Sequence, residues 1–210
     1  MKIRFFFLIL LILISSTGFS KTKKFGTWIE FELNKKIVKH LDFSFIPEVR
    51  FEDNFSVDEY IFEGKLSYEP FKFLELAGAY RYNTEVKNKG NEISHSGVFD
   101  ITGKSGFDRF DASLRTRFTN DSDGDELRTF YFRPRAKLNY NIKGSELEPY
   151  TSYELFMNLK ESDFYKQRFD FGIQRKIGDY HRLGLYYRLQ DYFGDKSAVN
   201  ILGIDYRFKF

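Results

Sequence analysis

Cysteine is absent from the chain, and its absence excludes two ways of securing an exported protein. There is no disulfide framework, and no amino-terminal cysteine is present that could carry a lipid anchor. The mature protein must therefore be held together by packing and hydrogen bonds.

Long apolar runs are equally scarce, because the only continuous one lies at residues 5–14. It is too short to cross a bilayer as a helix, which needs roughly 20 residues, so the sequence excludes a helical membrane protein. The run follows Lys2 and Arg4 and precedes the small residues Gly18 and Ser20, which is the order of a secretory signal peptide. We predict a signal peptide at residues 1–20 and one domain over residues 21–210.

The chain also has little net charge of either sign. It carries 33 basic and 30 acidic residues, and removal of Lys2 and Arg4 with the signal peptide lowers the formal charge from +3 to +1. This balance gives no electrostatic reason to expect nucleic acid as a partner.

Aromatic residues, in contrast, are abundant: 26 Phe and 14 Tyr stand beside 30% charged residues. In residues 41–52, large apolar side chains occupy odd positions, and charged or hydroxyl side chains occupy most even positions. This is the period of a β-strand with one apolar face. The alternation recurs in about eleven segments, beginning near Trp28, and no helical period competes with it.

The connections between these segments alternate in length. Short turns are predicted at residues 69–72, 103–106, 143–145 and 178–180, and longer polar connections at residues 53–58, 84–92, 120–126, 160–163 and 194–197. The segments run for roughly 10 to 14 residues, longer than the 5 to 6 usual in soluble strands and long enough for a tilted strand to cross a bilayer.

Strand length and the alternation of connections together are typical of outer-membrane barrels. We predict an all-β fold, an antiparallel transmembrane β-barrel of about 10–12 strands with short periplasmic turns and longer extracellular loops, located in the bacterial outer membrane. A count of eleven segments conflicts with this prediction, because bacterial single-chain barrels have even strand numbers. Either two strands are merged in one segment, or the Trp28 segment is not an ordinary member of the barrel.

The aromatic side chains are predicted to face outward, because a barrel of this strand number has room inside only for modest contents. A one-residue slip of the 130–140 strand would place its basic residues in lipid, at roughly 2–4 kcal/mol each near the midplane. The charged residues predicted to line the lumen are Glu63, Glu75, Arg81, Asp111, Arg115, Arg117, Arg133, Arg135, Glu154, Arg168, Asp170, Arg182, Arg188, Asp205 and Arg207.

Two interpretations of this arginine-rich lumen stay open. One is an interlocked network of ion pairs that fills a narrow barrel, as in a structural or accessory protein, because buried charges must be paired. The other is a narrow, porin-like channel whose cationic wall favours anionic solutes.

The last segment ends on a terminal phenylalanine, as the assembly signal of many outer-membrane barrels does. We predict that Tyr206, Phe208 and Phe210 form this signal and that the outer-membrane assembly machinery is a partner, together with membrane lipid and lipopolysaccharide.

Catalytic and metal-binding alternatives have weaker support. His95 and Ser96 are adjacent, so on a strand they point to opposite faces and do not form the nucleophile–base pair of a hydrolase. We predict no catalytic residue, with an outer-membrane lipase or protease as the alternative. Asp121, Asp123 and Asp125 alternate as in a calcium loop, but the twelfth position of an EF-hand is occupied by Phe132. A solvated acidic loop is therefore the main interpretation, and no cofactor is expected.

Short aromatic and arginine-containing runs recur in order along the mature chain: Trp28 and the runs at residues 48–51, 80–82, 114–118, 133–135, 149–156 and 187–190. Together they resemble the domain-of-unknown-function family 2490, which comprises outer-membrane barrels found mainly in bacteria of the Bacteroidetes type. The resemblance covers nearly all of residues 21–210. It implies the barrel fold and its location, and it implies no catalytic residue.

Overall fold

Eleven β-strands make up the fold. The computed structural model describes residues 22–88, 90–123, 129–194 and 197–210, so the predicted signal peptide lies outside the described residues. The strands are β1 (Thr22–Val38), β2 (Leu41–Phe51), β3 (Val57–Phe71), β4 (Leu74–Glu85), β5 (Glu92–Phe107), β6 (Phe110–Asp123), β7 (Thr129–Tyr140), β8 (Leu147–Asn158), β9 (Asp163–Ile177), β10 (His181–Tyr192) and β11 (Ser197–Lys209).

The strands form one closed barrel, in which each strand pairs with its neighbours in sequence and β1 pairs with β11. The all-β barrel and its predicted range of strand numbers are confirmed. Within the described ranges, no helix has the length and apolar character needed to cross a membrane.

The seam between β1 and β11 differs from the predicted antiparallel arrangement, because these two strands are parallel. Ten hairpin connections reverse the chain ten times, so the first and eleventh strands run in the same direction. The expectation of an even strand number was wrong. The Trp28 segment is a full member of the barrel, and its register with β11 extends from Thr22↔Ser197 to Asn34↔Lys209.

The seam can be tested with a disulfide, since the chain has no cysteine of its own. Ile29 and Ile204 are direct partners across β1 and β11, and paired strands bring Cα atoms within disulfide reach. We expect the double variant Ile29→Cys, Ile204→Cys to crosslink on oxidation in most folded molecules, as measured by mobility on a denaturing gel.

The matched control for this crosslink is Ile29→Cys with Phe208→Cys, which lies four residues further along β11, or about 13 Å away. Equal crosslinking of the two pairs, or none in the first, would contradict the parallel register.

Four of the five connections at one end of the barrel have two or three residues, and the fifth, at 141–146, has six; this is the short-turn end, and the opposite, long-loop end has connections of four to six residues. The short-turn end carries the connections at residues 39–40, 72–73, 108–109, 141–146 and 178–180, and β11 ends there. The long-loop end carries the connections at residues 52–56, 86–91, 124–128, 159–162 and 193–196, and β1 begins there.

One predicted turn is misplaced. Residues 103–106 lie inside β5, and the chain reverses instead at residues 108–109, where Asp108 adopts a positive φ of 52°. Aspartate tolerates this left-handed conformation, whereas Gly103 and Gly106 remain paired with Leu114 and Asp111 across β5 and β6.

Side chains alternate between the two faces of the wall along each strand, except at a few register shifts near the strand ends. Large apolar side chains such as Phe62, Leu114 and Phe130 are exposed on the outer face, by 42%, 59% and 54%. Charged side chains such as Glu63 and Arg117 point inward and are buried. Period-two alternation in the sequence therefore becomes an apolar exterior and a charged interior.

Candidate functional site

The barrel interior contains one carboxylate that faces three arginines. Glu154 on β8 is 4% exposed. Its Oε1 accepts hydrogen bonds from Arg115 Nη2 at 2.7 Å and Arg133 Nη2 at 3.2 Å, and its Oε2 lies 3.8 Å from Arg168 Nη1. These arginines come from β6, β7 and β9. The contact therefore links four strands, and the cations outnumber the acid.

A second buried carboxylate, Asp170 on β9, is held in a denser set of hydrogen bonds. Arg188 donates from Nε and Nη2 to its two oxygens, at 2.6 and 3.0 Å. Arg135 Nη2 and Ser152 Oγ donate to Oδ2 at 3.2 and 3.0 Å. Such bidentate, charge-assisted bonds are the strongest available to a guanidinium, so this cluster braces β7 to β10.

The third cluster joins β3 to β6. Arg81 donates two hydrogen bonds to Glu63 Oε2, at 2.9 and 2.5 Å. Arg117 donates to both oxygens of Asp100 at 2.7 Å, and its Nη1 lies 3.9 Å from Glu63 Oε2. Asp100, which was not among the predicted lumen residues, is 6% exposed.

The structure thus brings ten of the fifteen predicted lumen residues into three clusters. The other five lie nearer the short-turn end with separate neighbours: Glu75 with Lys104, Asp111 with Asn141, Arg182 with Gln174, Arg207 with Glu32, and Asp205 against Gly184.

The interior also holds four buried aromatic side chains among the described residues, Trp28, Tyr150, Phe156 and Tyr186, which are exceptions to the predicted outward orientation of the aromatics. Trp28, the only tryptophan, is 9% exposed and points inward. The guanidinium carbons of Arg50, Arg188 and Arg168 lie 3.9, 4.9 and 5.1 Å from its ring centroid, which is within the range of cation–π attraction. The indole is thus an additional neighbour of these cations, each of which also lies beside a carboxylate.

The sequence did carry a signal for these inward rings. Trp28 shares its parity on β1 with Glu30 and Glu32, and Phe156 shares its parity on β8 with Glu154. Side chains two residues apart lie on the same face of a strand, so parity, and not hydrophobicity, predicts their side of the wall.

A cavity of about 150 Å³ lies among these side chains toward the long-loop end. Among the described residues, no carboxylate lines it, whereas five cationic residues from four strands do: Arg50, Arg81, Arg133, Lys166 and Arg168. Its wall also includes the ring of Phe156, a residue that is 3% exposed. The arrangement is suited to holding negative charge next to an aromatic surface.

The candidate hydrolase pair lies on opposite sides of the wall. His95 faces outward on β5, where its Nδ1 is 2.5 Å from the hydroxyl of Tyr80. Ser96 faces inward and is 2% exposed.

Histidines and acidic side chains are the possible metal ligands of this chain, which has no cysteine. Among the side chains that the structure describes, no three His, Asp or Glu residues are grouped to hold a metal ion. The predicted metal ligands fall outside this set, because Asp125 and the side chains of Asp121 and Asp123 are not described.

The predicted assembly signal lies at the short-turn end of β11. His181 Nδ1 is 2.6 Å from the hydroxyl of Tyr206, and the imidazole ring stacks on Phe208 with centroids 5.0 Å apart. The rings of Phe210 and Phe208 stack with centroids 5.5 Å apart, and Lys35 Nζ lies 5.2 Å from the ring centroid of Phe210.

Fold and interior together define a class of protein: a closed β-barrel with an apolar outer face and an ion-paired interior. The chain belongs to the DUF2490 family, described as a protein of unknown function, whose sequence profile matches residues 25–199. This confirms the resemblance seen in the aromatic and arginine runs. No curated protein matches the chain.

Proposed function

We propose that this chain is an outer-membrane β-barrel whose lumen is closed by ion pairs, and that it serves as a structural or accessory barrel. The observation that carries the proposal is that apolar side chains face outward and charged side chains face inward, which is the reverse of a soluble barrel. Large apolar side chains are exposed on every strand, whereas the buried side chains include Glu63, Arg117, Glu154 and Asp170. A soluble barrel would bury the first set and expose the second.

The outer wall supports a lipid environment. Exposed apolar patches on soluble proteins rarely exceed a few hundred Å², whereas here every side of the barrel carries exposed Phe, Tyr, Leu or Ile. The strands are 11 to 17 residues long, and about 9–11 residues are needed to cross a bilayer.

Two belts of aromatic residues fit the same environment, since aromatic girdles mark both interfaces of transmembrane barrels. The short-turn belt includes Phe71, Phe73, Phe107, Tyr180 and Phe210, which are 54–81% exposed. The long-loop belt includes Phe55, Phe130, Phe164 and Phe193, which are 39–73% exposed.

The interior contacts support a closed lumen over an open channel. Arg168 on β9 contacts both Glu154 on β8 and the Trp28 ring on β1, so its side chain extends through the lumen to a strand three positions away around the barrel. The acidic residues at its centre are less than 10% exposed. A continuous water-filled path would hydrate them.

Conductance tests this proposal directly. Purified mature protein reconstituted in planar bilayers is expected to give no discrete current steps, because the clusters around Glu154 and Asp170 block the axis. The double variant Arg133→Ser, Arg168→Ser removes two guanidiniums from the Glu154 cluster. It is expected to give small current steps.

Folding and insertion must be verified in the same samples. A difference in gel mobility between boiled and unboiled protein reports the folded barrel, and flotation with vesicles reports insertion. Anion-selective steps from the parent protein would overturn the closed lumen and favour the channel. Failure to float with vesicles would overturn the membrane assignment.

The same proposal gives the carboxyl-terminal strand its role. Tyr206, Phe208 and Phe210 would present the terminal aromatic side chains to the assembly machinery before closure, when β11 is not yet paired with β1.

A further inference from the structure

The cavity at the long-loop end is lined by two cations that are paired, Arg50 with Glu48 and Glu59 and Arg81 with Glu63, and by three whose charge the described carboxylates neutralise only in part. Arg133 and Arg168 share the single carboxylate of Glu154 with Arg115. Lys166 makes no ion pair with any carboxylate of the described residues, and its Nζ lies over the Phe156 ring at 4.2 Å. Buried charges are costly unless they are paired and hydrogen-bonded.

Unused hydrogen-bonding capacity points to the same place. Arg133 Nε is buried and has no hydrogen-bond partner, although Arg133 lines the cavity. The amide of Asn83 lines it too, and its Oδ1 is likewise unpartnered. A half-turn of that amide would present its Nδ2 donors to the cavity.

Phe156 arranges the cations around one point. Lys166 Nζ and the guanidinium carbons of Arg133 and Arg168 lie 4.2, 4.4 and 4.6 Å from its ring centroid. The ring supplies no formal negative charge, and all three cations line the cavity, so a ligand that enters it meets several donors at once.

We propose that this cavity binds a small oxyanion, with inorganic phosphate as its simplest representative. A volume of about 150 Å³ corresponds to roughly five water molecules, which excludes a large solute and leaves room for a phosphate or a short phosphorylated or carboxylated molecule. Its oxygens would accept hydrogen bonds from Lys166, Arg133 and Arg168. The site goes beyond the structural role proposed above and does not depend on whether the barrel conducts.

Isothermal titration calorimetry of the folded mature barrel tests the site. Phosphate is titrated at constant ionic strength in detergent micelles free of phospholipid, so that any bound phosphate comes from solution. We expect saturable binding that chloride does not reproduce, and we expect Lys166→Gln to weaken it at least about tenfold, because a charged hydrogen bond is lost.

Lys176→Gln is the matched control, because Lys176 lies on the inner face of the same strand but pairs with Glu148 at 2.5 Å, away from the cavity. It is expected to bind phosphate as the parent does. Lys166→Arg keeps the charge and is expected to retain binding, which separates charge from a general effect on folding.

Three results would overturn the site: phosphate heats no larger than those of chloride, equal weakening by Lys176→Gln, or full binding by Lys166→Gln. Heat-modifiable gel mobility of each variant shows independently that the barrel has folded. The conductance experiment on the parent barrel tests a different property, so either of its outcomes leaves the phosphate-binding result unchanged.

Discussion

Replacing Glu154 by glutamine should lower the free energy of unfolding by about 3–5 kcal/mol, the usual cost of breaking a buried ion pair by removing one partner. The carboxylate contacts Arg115, Arg133 and Arg168. Glutamine keeps the shape of the side chain but leaves these guanidiniums without their shared counter-charge. The shift in denaturation midpoint in detergent micelles measures the effect.

Glu146→Gln is the matched control, because Glu146 pairs with Arg175 at 3.4 Å on the exposed surface, with side chains 59% and 61% exposed. Exposed ion pairs contribute roughly 0–1 kcal/mol, so this variant should unfold almost as the parent does. A Glu154→Gln barrel as stable as Glu146→Gln would mean that the central cluster is not needed for stability.

Replacing Gly203 by alanine should destabilise the barrel by about 1–3 kcal/mol or more, as overpacking of a filled interior does. Gly203 on β11 pairs with Tyr186 on β10, and the phenol ring lies over the glycine. An added Cβ would come within 2.0 Å of Tyr186 Cζ. The ring would have to leave a position where it is only 8% exposed.

Gly78→Ala provides the comparison for this substitution, since a Cβ at Gly78 on the outer face would meet nothing within 4 Å. It should leave the midpoint unchanged or raise it slightly through the lower entropy of the unfolded chain. In a Tyr186→Ala background, Gly203→Ala should cost less than in the parent, because contacting residues are not additive. An equal cost in both backgrounds would contradict the ring contact.

The local part of the architecture was predictable from the order of residues. Phe43, Glu63 and Arg133 each took the side of the wall that their parity indicated, because the two-residue period of a strand depends only on the backbone. Phe156 follows the same rule, because it shares the inward parity of Glu154 and is buried, and it is an exception to the general expectation that aromatic side chains face outward. The turn at Asp108 was missed because aspartate is a weaker turn signal than the two glycines that precede it.

The candidate site was predictable only as a list of inward charges. Which arginine meets Glu154 depends on the stagger of β6, β7 and β9 around the barrel, and no local pattern encodes that stagger. The cavity beside Lys166 arises in the same way, because its lining residues come from positions between 50 and 168 of the chain.

By itself, the sequence determined the strand period, the polarity of each face and the family, since these follow from neighbouring residues and short recurring runs. Only the tertiary structure decided that β1 closes on β11 in parallel, that Trp28 lies among arginines, and that cations gather at one cavity. The physical reason is that closure fixes the height and angle of every strand at once, so contacts across the axis depend on the whole ring.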